Sequence, residues 1–355
     1  MADDVFERLA AFFDRFPIGF PKTASGNEMD ILRWFFTEHE AETVMLLTPF
    51  PEEASSVASR SVMDADTLAP LLEALAVKGL IFRIRRSGRT LYNAVPFMIG
   101  LYEYSVRKMD ESLADLCGRY YEEAFQKEMA ASNVPGFKVI PLGHTLNEEM
   151  VLIPSCMLED QVRKARVISV APCICRREAR LTGEGCDGPE ETCLHFGAAA
   201  EFYIENRIGR PIGADEAMDI IRRADEAGLV HAGVNTQHLS NLCNCCPCCC
   251  ASMKGITEKG MDRHGFLNAL FLAVIDEDLC TGCGICTDRC PVDALGVDET
   301  AHVKERQCLG CGLCSGACPV QAITMRLKDD REEPFQSVVD LGMAILKGKA
   351  ERLDT

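Results

Sequence analysis

Twenty cysteines stand out in a chain of 355 residues. Eight of them repeat one spacing twice: Cys280-x2-Cys283-x2-Cys286-x3-Cys290-Pro291, then Cys308-x2-Cys311-x2-Cys314-x3-Cys318-Pro319. Thiolates ligate iron and zinc, and a [4Fe–4S] cubane needs one for each of its four irons. Two residues between ligands let a tight loop wrap three corners, while the cysteine before proline points away toward a second cluster. Zinc sites pair separated C-x-x-C units instead, so the tandem run reads as iron–sulfur. Gly282, Gly284, Gly310 and Gly312 let the backbone approach closely enough for its N–H groups to reach sulfur.

Ten more cysteines lie between Cys173 and Cys250. The first group is Cys173, Cys175, Cys186 and Cys193. The second is the dense run Cys243-Asn244-Cys245-Cys246-Pro247-Cys248-Cys249-Cys250. No single cubane uses ten thiolates, and adjacent cysteines point different ways. One or two additional Fe–S clusters are expected here, with a zinc site and redox-active thiols as the other readings. Which cysteine serves which centre is not decided by spacing. His195 and His231 are candidate further ligands. Arg176 and Arg177 either tune cluster charge or pair with Glu178 or Asp187. Cys117 and Cys156 stand alone.

The tandem run resembles that of bacterial two-cluster ferredoxins. The resemblance implies two [4Fe–4S] clusters with crossed ligands: Cys280, Cys283, Cys286 and Cys318 for one, and Cys308, Cys311, Cys314 and Cys290 for the other. Ala294-Leu295 and Ala322-Ile323 would pack around them. The wider layout resembles a group of anaerobe iron–sulfur proteins with a winged-helix-like N-terminus, a P-C-x-C-R segment (Pro172–Arg176), an N-C-C-x-C-C-C run and a C-terminal ferredoxin. Ile18-Gly19-Phe20-Pro21 and Phe36-Thr37-Glu38 also match that layout. The group implies electron transfer and little else. Cys245-Cys246 is also similar to the CCG motifs of heterodisulfide reductases, but Pro247 replaces the glycine and the distal C-x-x-C is absent.

The elements around these motifs give an α+β expectation. Over residues 1–110, helices are read at Asn27–Phe36, from a capping box at Thr37 through Leu47, at Glu52–Ser61, and from Asp64 or Asp66 to Gly79. A hairpin follows, with Leu80–Arg85 and Arg89–Ala94 flanking Arg86-Ser87-Gly88. Helices followed by a hairpin resemble a winged helix-turn-helix, with Lys78-Gly79-Leu80-Ile81 leading into the wing. Residues 111–270 are read as an irregular cysteine-rich domain containing helices at Glu111–Met129 and Ala214–Ala227 and a short strand at Val167–Val170. Residues 271–330 form the ferredoxin unit. Residues 331–355 hold a closing helix over Pro334–Lys349.

Net charge is −17. That balance argues against nucleic acid and anionic membrane as partners, and it suits docking to a basic patch on a redox protein. The groove-facing helix would lead with Asp64 and Asp66, against DNA reading, although Arg83, Arg85, Arg86 and Arg89 make the wing basic. The N-terminus MADDVFERLAAFF has no secretory pattern, and the apolar run Phe266–Ile275 is too short to span a bilayer. A cytoplasmic location with reduced thiols is expected. No Walker loop or Rossmann fingerprint appears, so no bound nucleotide is expected. The sequence thus reads as an electron-transfer protein serving a flavoprotein or metal oxidoreductase, rather than an autonomous enzyme. A reductase with an open-site cluster and a redox-sensing regulator are the rival readings, and homo-oligomerisation is left open.

Overall fold

The computed structural model describes residues 4–146 and 157–353, so Cys156 lies outside the described residues. The N-terminal helices are Val5–Phe13, Asn27–Phe35, Glu38–Val44, Ala54–Ala58 and Ala65–Lys78. Thr37 and Glu40 form the capping box anticipated from their spacing. Asp64 caps the last helix, and Gly79 ends it in the left-handed region at φ +75°. Two helices are shorter than expected: the third stops at Val44, and the fourth covers only Ala54–Ala58. The hairpin strands are β1 (Phe82–Arg86) and β2 (Arg89–Asn93). Its turn is only Ser87-Gly88, both at positive φ, as a two-residue hairpin turn requires. Arg86 therefore belongs to the strand.

The expectation of an irregular middle domain is wrong. Seven strands form one sheet: β3 (Phe137–Val139), β4 (Ile168–Pro172), β5 (Glu191–Phe196), β6 (Arg210–Ile212), β7 (Val230–Val234), β8 (Asn241–Cys245) and β9 (Leu267–Asn268). Their order is β6-β4-β5-β8-β7-β3-β9, antiparallel except for β3 and β9. The helix Ala214–Glu226 packs Ala217, Ile220 and Ile221 on one sheet face against Val170, Leu194 and Leu242. The residues between these on β5 and β8, which include cysteines, point to the other face. That face joins the N-terminal helices in one core running from Val5 to Leu313.

The last unit pairs β10 (Phe271–Ile275) with β13 (Ile323–Leu327), and β11 (Leu295–Val297) with β12 (Ala301–Val303). The apolar run Phe266–Ile275 is thus shared between two sheets, β9 in one and β10 in the other. Leu146 bridges to Met325, and the guanidinium of Arg289 donates to the Asp225 carbonyl of the helix Ala214–Glu226, tying this unit to the middle unit. The closing helix is Val338–Leu353; it starts four residues later than expected because Ser337, not Pro334, accepts from the Asp340 N–H and caps it. Among the described residues, no helix is long and apolar enough to cross a membrane.

Candidate metal centres

In the C-terminal unit the tandem cysteines line two cavities. Cys280, Cys283, Cys286 and Cys318 surround one of about 310 Å3. Cys290, Cys308, Cys311 and Cys314 surround the other, of about 330 Å3. Each cavity takes three sulfurs from one motif and the proline-flanked cysteine of the other. Both helices that start beside them, Ile285–Asp288 and Leu313–Ala317, follow a glycine at φ +80°. Backbone N–H groups aim at sulfur: Ala301 at Cys280 (3.3 Å), Ala294 at Cys290 (3.2 Å), Gly310 at Cys308 (3.4 Å) and Ala322 at Cys318 (3.3 Å). Such donors are what a delocalised cluster charge needs, and two thiolate-lined cavities of nearly equal size fit two cubanes. Leu295 and Ile323 complete the apolar walls.

Gly310 shows how tight the cradle is. It holds φ +69°, and a Cβ there would sit 2.3 Å from the Phe271 carbonyl oxygen. Gly310→Ala is expected to lose the cluster of the Cys308 motif, measured as about half the iron of this unit. Full iron content in that variant would contradict the cradle.

The middle cysteines lie on strands, helix ends and a loop. Cys173 precedes the helix Ile174–Leu181, Cys250 precedes the helix Ala251–Thr257, Cys193 is on β5, and Cys243 and Cys245 are on β8. Because strand side chains alternate, Cys193 and His195 share a face, as do Asn241, Cys243 and Cys245. The pairing of His195 with Asn241 sets these two rows side by side. The result is a chamber between the sheet and the segment Met98–Glu103, more than twice the size of either cavity of the C-terminal unit. Six thiols around it are neighbours that share charge in the order Cys173, Cys175, Cys250, Cys245, Cys243 and Cys193. Interaction with these neighbours holds Cys173, Cys243 and Cys250 below the ordinary thiol range and Cys175, Cys245 and Cys193 above it. A metal bound here displaces the protons of these thiols.

Three other groups complete this region. Arg176 is fully buried, and its guanidinium donates to the Pro189 carbonyl (3.1 Å), Thr192 Oγ1 (2.8 Å) and the Asn244 carbonyl (2.7 Å). It pairs with neither Glu178 nor Asp187; Glu178 instead takes the Tyr102 hydroxyl, and Arg177 reaches the Met109 carbonyl. Burial opposes the Arg176 charge, but the thiolates of Cys173, Cys246, Cys245 and Cys186 more than offset it. His195 stacks on Tyr203 with ring centroids 3.5 Å apart, and its Nε2 lies 3.6 Å from Cys193 Sγ. Burial pushes His195 down to about 3, so the ring is neutral. His231 does not line the chamber; its Nδ1 meets Asn244 Oδ1 at 2.6 Å.

Glu103 is the residue that sequence reasoning missed. Its carboxylate accepts from the Gly100 N–H (2.8 Å), lines the chamber, and is pushed up to about 8 by burial. Nothing in its setting among tyrosines marks it out in the sequence.

Of the four other middle cysteines, Cys246 and Cys249 also border the chamber, whereas Cys186 and Cys248 do not. All four gather so that their Sγ atoms lie within 4.8 Å of one another. Cys117 is buried alone in the core.

Residues 273–325 match the family model of the 4Fe-4S dicluster domain. The chain is therefore an iron–sulfur protein with a ferredoxin-type 4Fe–4S domain near its C-terminus. No curated protein and no solved structure matches the chain.

Proposed function

We propose that this protein passes electrons between a redox partner and an internal centre, through two cubanes and a further cluster in the middle chamber. The observation that carries the reading is the series of three thiol-lined cavities. Cys280, Cys283, Cys286 and Cys318 hold the outer cubane, and Cys308, Cys311, Cys314 and Cys290 the inner one. The clusters supply one-electron chemistry at potentials set by charge, hydrogen bonding and exposure. The protein's part is to fix their spacing, bury the inner one and leave the outer one accessible.

The exposure pattern orders the path. Cys283 is exposed, and Leu279, Ile285 and Val320 near it are exposed apolar side chains. Exposed acids flank that loop in sequence, among them Asp276, Glu277, Asp278, Asp288 and Glu299. Such a patch suits a flavoprotein or metal oxidoreductase with an apolar centre and a basic rim. Cys308 and Cys314 are buried, and Gly312 abuts Thr145 and Pro141 at the edge of the middle unit. Electrons therefore run between the Cys283 surface and the chamber by way of the inner cubane.

The N-terminal unit serves the chamber and partner docking rather than DNA. Arg83 and Arg85 both pair with Glu73 and Glu205, and Arg89 with Glu53, so the basic wing is largely neutralised within the chain. Reductive titration of anaerobically purified protein tests the electron-transfer reading. Reversible uptake of more than about two electrons per chain, at one per cubane, is the expected result. Uptake of none would sink it.

The chamber also favours a second reading, an open-site reductase. Its space exceeds either cubane cavity, and Glu103 and His195 offer non-thiol groups inside it. Turnover of a small disulfide by the purified protein, without a partner, would select this reading.

A further inference from the structure

The ten middle cysteines divide six to four, and the four are built differently from every other thiol set in the described chain. Cys186 sits in the loop between Ile174–Leu181 and β5, while Cys246, Cys248 and Cys249 sit in the turn after β8. The Sγ separations are 4.0 Å for Cys186 and Cys246, 3.7 Å for Cys186 and Cys249, and 3.7 Å for Cys248 and Cys249. Four sulfurs at a metal–sulfur distance of about 2.3 Å in a tetrahedron stand about 3.8 Å apart. A cubane puts each thiolate on a different iron, so its ligand sulfurs stand much further apart. The two ferredoxin sets provide the comparison within the same molecule. Among the described residues, only the Cys186 set brings three or more sulfurs within 4.8 Å of one another.

We propose that Cys186, Cys246, Cys248 and Cys249 hold a single tetrahedral thiophilic ion, zinc or mononuclear iron, and not a cluster. Four protein ligands close the coordination sphere, which marks a structural site rather than a catalytic one. Cys246 and Cys249 are buried beside Ala179, Ala224 and Leu229, and Cys248 is at the surface. The neighbouring guanidinium of Arg176 offsets the negative charge of a four-thiolate site. Its Nε is buried without a partner, and a Cβ on Gly188 would lie 3.1 Å from that Nε and 3.2 Å from Cys186 Sγ. The ion would staple the Cys186 loop to the turn between Cys245 and Cys250, both of which face the chamber. It fixes that wall without carrying electrons along the path, so the inference goes beyond the proposed function and does not depend on it.

The test is zinc, iron and acid-labile sulfide content of the anaerobically purified full chain, with X-ray absorption at the zinc and iron edges. The expected result is about one zinc per chain with four sulfur neighbours near 2.3 Å, or one iron in the same environment with no sulfide of its own. Cys248→Ser changes a surface ligand, so it spares the core; it is expected to lose that one ion while sulfide content stays at the wild-type value. Loss of iron and sulfide together, in about fours, from Cys248→Ser would overturn the proposal by making the site a cubane. Zinc bound only through nitrogen and oxygen, with no mononuclear iron, would overturn it too. The ferredoxin clusters contribute the same sulfide to the wild type and to Cys248→Ser, so the difference between the two reports this site alone.

Discussion

Replacing Cys290 with serine is expected to remove or damage the cluster of Cys308, Cys311 and Cys314 while sparing that of Cys280, Cys283 and Cys286. Sequence proximity alone argues the reverse, because Cys290 belongs to the first motif. The cavities decide the matter: Cys290 lines the space with Cys308, Cys311 and Cys314, and Cys318 lines the other. A missing thiolate leaves one iron without its ligand, so the expected cost is up to about four irons per chain. Cys283→Ser is the reciprocal variant and should damage the outer cluster alone, with the N-terminal unit still folded. EPR of the reduced proteins separates the two, since each variant should lose the magnetic interaction between neighbouring cubanes and retain a different single-cluster signal. Identical residual signals from both variants would contradict crossed ligation.

Arg176→Met is expected to have the largest effect in the middle unit. The side chain is buried, and its three hydrogen bonds join the Cys186 loop, β5 and β8. It is also the cation between the two thiol sets. Removing it leaves three buried acceptors short of a donor and the thiolates without their counter-charge. Loss of one partner from such a buried arrangement costs about 3–5 kcal/mol. Denaturant unfolding of the anaerobic protein should show that loss, together with lower metal content of the middle unit. Arg176→Lys should not restore it, because one ammonium cannot reach three acceptors that a planar fork serves together. An unchanged unfolding midpoint with full metal content would show that Arg176 does neither task.

The parts of this molecule that were legible in its sequence are those whose geometry is local. A C-x2-C-x2-C-x3-C-P run fixes which sulfurs a loop can present, and Thr37, Asp64 and Gly79 act within a turn of their own positions. The middle sheet was hidden for a physical reason. Its strands are short, and β5 and β8 place polar or cysteine residues on the chamber face, so hydrophobic alternation is faint. The signal that was present is the i, i+2 spacing of Cys193 with His195 and of Cys243 with Cys245, which is the period of one strand face. Division of the ten cysteines is a different matter. Cys186 meets Cys246 through a loop held by contacts distant in sequence, with Arg176 bonded to Pro189 and Asn244 and Arg180 bonded to the Cys186 and Gly188 carbonyls. Glu103 likewise reaches the chamber through tertiary packing alone.

Iron and sulfide content of the anaerobically purified protein, paired with EPR of its reduced form, tests the central claim most directly. Two ferredoxin cubanes account for about 8 Fe per chain, and a further cluster in the chamber raises the count to about 12 or more, with matching sulfide. About 8 Fe, with Cys173, Cys175, Cys193, Cys243, Cys245 and Cys250 titrating as free thiols, would contradict an electron path that ends in the chamber.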